Sequence, residues 1–262
     1  MSGTSIVTST VALTRAVSPA IGRCELTHLA RAPIDPARAA AQHAAYEECL
    51  RRAGCTVVRL PAAPELPDSV FVEDMAVVLD ELAVVARAGA ASRRAEAASV
   101  AEALAGYRAL VFLREPATLD GGDVLRAGRT LYVGRTARTN AEGLAQLRDA
   151  VAPFGYRVVE VRVEGCLHLK SAATLAAPGV LLVQPAWVSP DEFDLGLEHV
   201  PVDPSEPYAA NVLLVGGTVI QPAAFPRTRA RLEARGLRVE AVDVSELAKA
   251  EGAVTCCSLL VD

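Results

Sequence analysis

Four times along the chain, two short apolar strands meet across a tight turn and are followed by a helix-like segment and another strand. Such a repeat constrains the fold more than any other feature, because each unit leaves an apolar face that only a neighbouring unit can cover. The first unit pairs residues 75–79 with 82–86 across Asp80-Glu81, then runs through a helix over 92–105 to a strand at 108–113. The second pairs 124–126 with 130–133 around Ala127-Gly128-Arg129. Its helix starts near Asn140, where Thr139 and Glu142 have capping-box spacing, and a strand at 157–163 closes it. The third pairs 172–176 with 180–183 across Ala177-Pro178-Gly179, and Ser189-Pro190-Asp191-Glu192 caps a shorter helix with proline in first position. The fourth pairs 211–215 with 218–221 across Gly216-Gly217, the residues a mirror-image hairpin turn prefers, before a helix at 227–235 and a strand at 238–242.

The two chain ends supply a fifth unit. A strand at 11–17, a helix from Pro36 (with Asp35 as cap) to about residue 53 and a strand at 56–60 lack only a first strand. The alternating segment 254–262 can fill that place through residues 257–261, closing a ring of five ββαβ units without exposed sheet edges. The competing architecture is an open α/β sheet decorated with hairpins. Residues 18–34 form a loop too long for a plain connection, and Cys24, Leu26 and Leu29 among its glycine and prolines suit a lid as well as a surface loop.

Composition narrows the classes of function. A net charge of −5, with acidic and basic residues interspersed, argues against nucleic acid or an anionic membrane as partner. No uninterrupted apolar stretch reaches the roughly 18 residues of a membrane span. The first residues lack the positive-then-apolar order of a signal peptide, so a cytoplasmic protein is expected. Cysteines at 24, 49, 55, 166, 256 and 257 show no CxxC spacing, which suits reduced thiols better than disulfides or structural zinc.

Polar clusters recur just before the first strand of each unit: Glu73-Asp74, Asp120-Gly121-Gly122-Asp123, His168 with Lys170, and Thr255-Cys256-Cys257. In a closed ring these positions converge on the axis, so carboxylates, an imidazole and a thiol meet at one end. Each cluster also has a plainer reading. Asp74 and Asp120 are able to cap turns, and His168 between two leucines reads equally as a core histidine. Cys256 and Cys257, on opposite faces of a strand, cannot share a role; one of them faces the cavity. No GxSxG or phosphate loop is present, and adjacent cysteines make poor tetrahedral zinc ligands.

The motifs Asp68-Ser-Val-Phe-Val-Glu-Asp74, Leu119-Asp-Gly-Gly-Asp123, Arg138-Thr-Asn140, Leu167-His-Leu-Lys-Ser171 and Thr255-Cys-Cys-Ser258 resemble, in order, those of the dimethylarginine dimethylaminohydrolases. That family belongs to the guanidino-group-modifying superfamily. The resemblance implies a five-bladed α/β propeller spanning residues 1–262, with 18–34 as lid. It implies hydrolysis of N-omega-methylated arginine to citrulline and methylamine or dimethylamine through a covalent cysteine S-alkylthiouronium. Carried over residue by residue, Cys256 resembles the nucleophile and His168 the general acid/base. Asp74 and Asp120 match the carboxylates that hold the guanidinium, with Glu73 beside them. Arg93 and Arg138 match the residues that bind the substrate carboxylate, and Asp68 a residue near its amino group. Cys24 stands where the family offers a leucine's backbone carbonyl from the lid. The resemblance implies no metal and no organic cofactor, and a small guanidino amino acid as ligand. A deiminase or hydrolase acting on arginine or a related guanidine, an amino-acid-binding propeller, a redox sensor built on Cys256 and Cys257, and assembly into homo-oligomers stay open.

Overall fold

The structure, a computed structural model, describes residues 10–193 and 196–262. Its chain starts with β1 (Val11–Arg15), followed by α1 (Pro36–Arg52) and β2 (Thr56–Leu60). The Asp35 side chain accepts from the Ala37 and Arg38 amides, and Pro36, which has no amide hydrogen to satisfy, opens the helix. The first repeat is β3 (Ala76–Val78), β4 (Leu82–Val85), α2 (Ala97–Leu104, led in by a 3₁₀ turn over Ala91–Glu96) and β5 (Ala109–Phe112). Next come β6 (Val124–Ala127), β7 (Thr130–Arg135), α3 (Ala141–Val151) and β8 (Arg157–Arg162). A single helical turn, α4 (Leu169–Ala172), precedes β9 (Ala173–Ala177), β10 (Val180–Val183) and β11 (Glu198–Pro201). Then follow β12 (Leu213–Val215), β13 (Thr218–Pro222), α5 (Pro226–Glu233), β14 (Arg238–Val242), the short α6 (Ser245–Ala248) and β15 (Leu259–Val261).

These strands form five three-stranded sheets. In each, the middle strand is antiparallel to the first and parallel to the third. The fifth sheet is completed from the far end of the chain, Val261 opposite Val11 and Leu259 opposite Leu13. First strands of neighbouring sheets approach one another, β15 beside β3 and β9 beside both β6 and β12. The apolar core lies between sheets: Val84, Leu119 and Leu147 join the first and second repeats, and Leu125, Tyr132 and Leu181 the second and third. Third strands face outward, and β5 leaves Val111 and Phe112 exposed. Among the described residues no helix is long and apolar enough to cross a membrane.

Three local expectations need correction, and one further element lies outside the repeat. The cysteine pair lies on a turn over 254–257, not within the strand, because β15 pairs with β1 only from Leu259 onward. Asn140, not Thr139, caps α3: its side chain accepts from Gly143, while the Thr139 hydroxyl donates to Asp123. The helix of the third repeat shrinks to a 3₁₀ turn, Pro190–Glu192, capped by Ser189. Lastly, α6 has no counterpart in the repeat pattern.

Candidate active site

The turns that precede the first strands build the site. Val72–Met75 leads into β3, Gly121–Asp123 into β6, α4 into β9, and 254–257 into β15. Each turn is pinned to another: the Glu73 amide donates to the Cys256 carbonyl (3.1 Å), Gly122 to Asp74 Oδ1 (3.1 Å) and Leu169 to Asp123 Oδ1 (3.0 Å). Gly122 is needed for this approach, since a Cβ there would lie 2.6 Å from His168 Nδ1 and 2.8 Å from Asp74 Oδ1.

Around one cavity this arrangement gathers Asp68, Asp74, Arg93, Arg138, His168 and Cys256. His168 Nε2 lies 3.0 Å from Asp120 Oδ2, and its Nδ1 lies 3.8 Å from Asp74 Oδ1. Asp120 is fully buried behind the imidazole and also accepts from the Gly89 amide (2.8 Å). Asp74 Oδ2 accepts a hydrogen bond from Arg93 Nη1 at 2.6 Å, and Arg93 turns its other nitrogens on Glu96 and the Phe71 carbonyl. Arg138 is less committed: Nη2 donates to Thr27 Oγ1 (3.0 Å), and Nη1 lies 3.7 Å from Asp120. Asp68 accepts the Glu25 amide at 3.1 Å.

Three of the residues expected to meet the ligand do not line the cavity: Asp120 stands behind His168, and two others point elsewhere. The Glu73 carboxylate faces the opposite end of the sheets, paired with Lys170 Nζ (2.6 Å) and accepting from Thr255 Oγ1 (2.7 Å). Lys170 also donates to the Gly121 carbonyl, and Asn211 joins the Lys170 carbonyl and Thr255. The pair lines a second, wider cavity of about 440 Å³ and has no part in the wall of the one just described. The Cys24 side chain is buried, and its carbonyl accepts from Arg31 Nη2 at 2.7 Å.

Sequence reasoning gave no role to Asp123, although it closes the Asp-Gly-Gly-Asp motif. Its Oδ2 accepts from the Thr136 and Thr139 hydroxyls, both at 2.6 Å, and its Oδ1 from the Leu169 amide, which ties the connection between β7 and α3 to the turn beside His168. It also assigned no role to Glu25, Phe71, Leu167, Ala250, Glu251 and Gly252, which complete the cavity wall; Phe71 and Leu167 stand in motifs read for their polar members, and the others lie in no motif. Beyond Leu167 and Glu251 lies a separate apolar cavity of about 240 Å³ that neither Cys256 nor His168 faces.

Charge placement sets the protonation states. Burial, followed by the fields of Glu73 and Asp74, pushes the Cys256 thiol up to about 12. Burial opposes an imidazolium at His168, but Asp74, Asp120 and Asp123 outweigh it and carry the group up to about 9. Burial would also raise Asp74, yet His168 and Arg93 hold it below its ordinary value. Burial, only partly offset, lifts Asp123 to about 6. At neutral pH the site thus holds a neutral thiol, a charged imidazole and an ionised Asp74. Among the described residues Asp74, Asp120 and His168 form the one trio whose ligand atoms lie within 4.8 Å of one another. A metal there would have to displace the His168 proton.

A buried thiol, an imidazole backed by carboxylates and an α/β scaffold of five small sheets are the parts of a hydrolase. Comparison with known proteins agrees. Residues 30–173 match the family described as N,N dimethylarginine dimethylhydrolase, eukaryotic. The dimethylarginine dimethylaminohydrolase of Streptomyces coelicolor is 44% identical over 250 residues, covering 95% of both chains. The Pseudomonas aeruginosa enzyme, solved as a cysteine-to-serine variant with citrulline, superposes with a TM-score of 0.92 at 34% identity, covering 96% of this chain and 99% of that one. A dimethylarginine dimethylaminohydrolase with a histidine-to-glycine change, solved as an adduct with S-methyl-L-thiocitrulline, gives 0.90 at 34% identity, covering 97% and 100%. The chain belongs to the dimethylarginine dimethylaminohydrolase family, hydrolases that act on C–N bonds.

Proposed function

We propose that this protein hydrolyses N-omega-methylated arginine to citrulline and dimethylamine or methylamine. The observation that carries the reading is the meeting of Cys256, imidazolium His168 and Asp74 in one cavity, with Arg138 at its side. Citrulline and S-methyl-L-thiocitrulline in the related structures support a ligand of this kind. In this reading the five sheets are the blades of a closed α/β propeller, all 262 residues serve one unit, and residues 18–34 are its lid.

A guanidinium is cationic and resonance-stabilised, so its carbon is a poor electrophile. Asp74 grips its nitrogens through charge-assisted hydrogen bonds, with Asp120 behind His168, and holds the carbon over the sulfur. With the cation bound, the Cys256 thiol gives up its proton to solvent water, since His168 is already protonated, and the thiolate attacks to give a tetrahedral adduct. His168, protonated below about pH 9, gives its proton to the departing amine, so the C–N bond breaks in preference to the new C–S bond. The neutral imidazole then takes a proton from water, the oxygen attacks the S-alkylthiouronium carbon, and citrulline leaves as the thiol re-forms. Arg138 holds the α-carboxylate and Asp68 the α-amino group. Arg93 acts mainly by fixing Asp74, to which it is already bound.

The test is citrulline release from asymmetric dimethylarginine and from arginine, with and without reductant. The expected outcome is turnover of the dimethylated substrate, favoured over arginine and unaffected by reductant beyond protection of the thiol. Preferred turnover of arginine would make the protein a deiminase. Binding without turnover would make it an amino-acid-binding propeller.

A further inference from the structure

The cavity that gathers Cys256 and His168 measures about 20 Å³, room for little more than a water molecule. An amino acid with a guanidino side chain cannot pass unless the loop over 18–34 moves. What holds that loop down therefore decides admission and release. Three consecutive backbone amides of the loop converge on a single carboxylate: Thr27 donates to Glu251 Oε2 at 3.0 Å, and His28 and Leu29 donate to Oε1 at 2.5 and 2.6 Å. Successive amides pointing inward in this way make an anion-binding nest.

Glu251 is held in an unusual conformation. It is the one non-glycine residue with positive φ among the described residues, at 58°. Its amide donates to the Ala248 carbonyl, and Gly252 donates to Leu247, so the end of α6 fixes the backbone from which the carboxylate reaches out. Five residues further on is Cys256. Among the described residues no cation pairs with Glu251, and the amides of the loop are the partners its charge has.

The loop's other contacts with the site fall on Asp68, through the Glu25 amide, and on Arg138, through Thr27 Oγ1. Under the function proposed above, both side chains turn to the amino acid's charged ends when it binds. Glu251 also lines the cavity, but both of its carboxylate oxygens are taken up by the loop amides. We propose that Glu251 is a positioning residue, a latch that holds the loop closed over the nucleophile by binding the Thr27–Leu29 amides. The inference rests on the hydrolase reading only for its kinetic consequence; the latch itself is a property of the unliganded protein.

The test uses Glu251→Gly, which removes the carboxylate while relieving the positive φ, so that the strain relieved offsets part of the stability lost with the loop contacts. Glu251→Gln is the second variant, keeping size and losing charge. Hydrogen exchange at the amides of Thr27, His28 and Leu29, measured without ligand, is expected to speed up at least about tenfold in both variants, with core amides unchanged. Citrulline release, followed by stopped flow, should quicken by a like factor, and KM should rise by more than kcat changes. Unchanged exchange at these three amides in either folded variant would overturn the latch. Exchange that rises together with core amides would also overturn it, since that is the signature of general loosening. Because exchange needs no substrate, it decides the latch even if the protein proves to act on a different guanidine.

Discussion

The sharpest consequence of the charge arrangement concerns how Cys256 becomes a nucleophile. Its thiol is carried from an ordinary 9.0 up to about 12 by burial and by Glu73 and Asp74. Three pH units correspond to about 4 kcal/mol against ionisation, leaving on the order of one thiolate in a hundred thousand at pH 7. A guanidinium seated on Asp74 brings a positive charge to the sulfur. At about 4 Å and an effective dielectric near 20, one unit charge contributes about 4 kcal/mol, enough to cancel the penalty. The substrate therefore activates its own nucleophile. The assay is the alkylation rate with neutral iodoacetamide, or thiolate absorbance, against pH in Cys257→Ser protein, alone and with a small unreactive amidinium. The expected free-state pKa lies above about 10 and falls by about two to three units on binding. A free-state value below about 7 would mean a standing thiolate–imidazolium pair, and substrate activation would be refuted.

Five further outcomes follow from the contacts and burial of named residues. Cys256→Ser should abolish turnover while Cys257→Ser, whose thiol merely donates to the Ala253 carbonyl, keeps most of it; mass spectrometry of quenched reactions should find the adduct on Cys256. Arg138→Ala should weaken methylarginine by about ten- to a hundredfold more than a decarboxylated analogue, read by calorimetry. Arg93→Ala should instead cost about 3–5 kcal/mol in chemical denaturation, because it strands Asp74 and Glu96 as buried charges. Asp120→Asn removes part of the field that raises His168, so the alkaline limb of the rate profile and the imidazole's NMR titration should both move to lower pH. Burial depresses His43 from 6.5 to about 4, so its contribution to stability is whole above pH 6.5 and fades as pH falls toward 4; melting curves of His43→Gln should show a weaker acid dependence.

Much of this architecture is written in local chemistry. Gly216-Gly217, with φ of 55° and 74°, can make the mirror-image hairpin that side chains with a Cβ resist. Asp35 followed by Pro36 announces the start of α1, and β2 and β14 fall at the expected residues. Even the docking of the chain's end against β1 is legible, because a unit lacking one strand and a strand lacking a partner complete each other. The expected strand, however, began two residues too early. Alternation cannot distinguish a strand from the turn that leads into it when both are buried, as residues 254–259 are.

Orientation at the site was harder to read, for a reason that Glu73 and Asp74 make plain. They are neighbours of the same charge on one 3₁₀ turn, and no property of either residue alone says which faces the thiol. Partners decide it. Lys170, carried on α4, draws Glu73 toward the far cavity. Arg93 and the Gly122 amide draw Asp74 toward His168. Those partners are 97, 19 and 48 positions away, so the choice becomes visible only once the units are assembled. The same holds for Glu251, which reads as an ordinary surface acid until Thr27, His28 and Leu29, more than 220 residues earlier, turn their amides toward it. In a chain whose units meet at their ends, local sequence specifies each unit, and the function of a polar side chain is set by which neighbouring unit supplies its counter-charge.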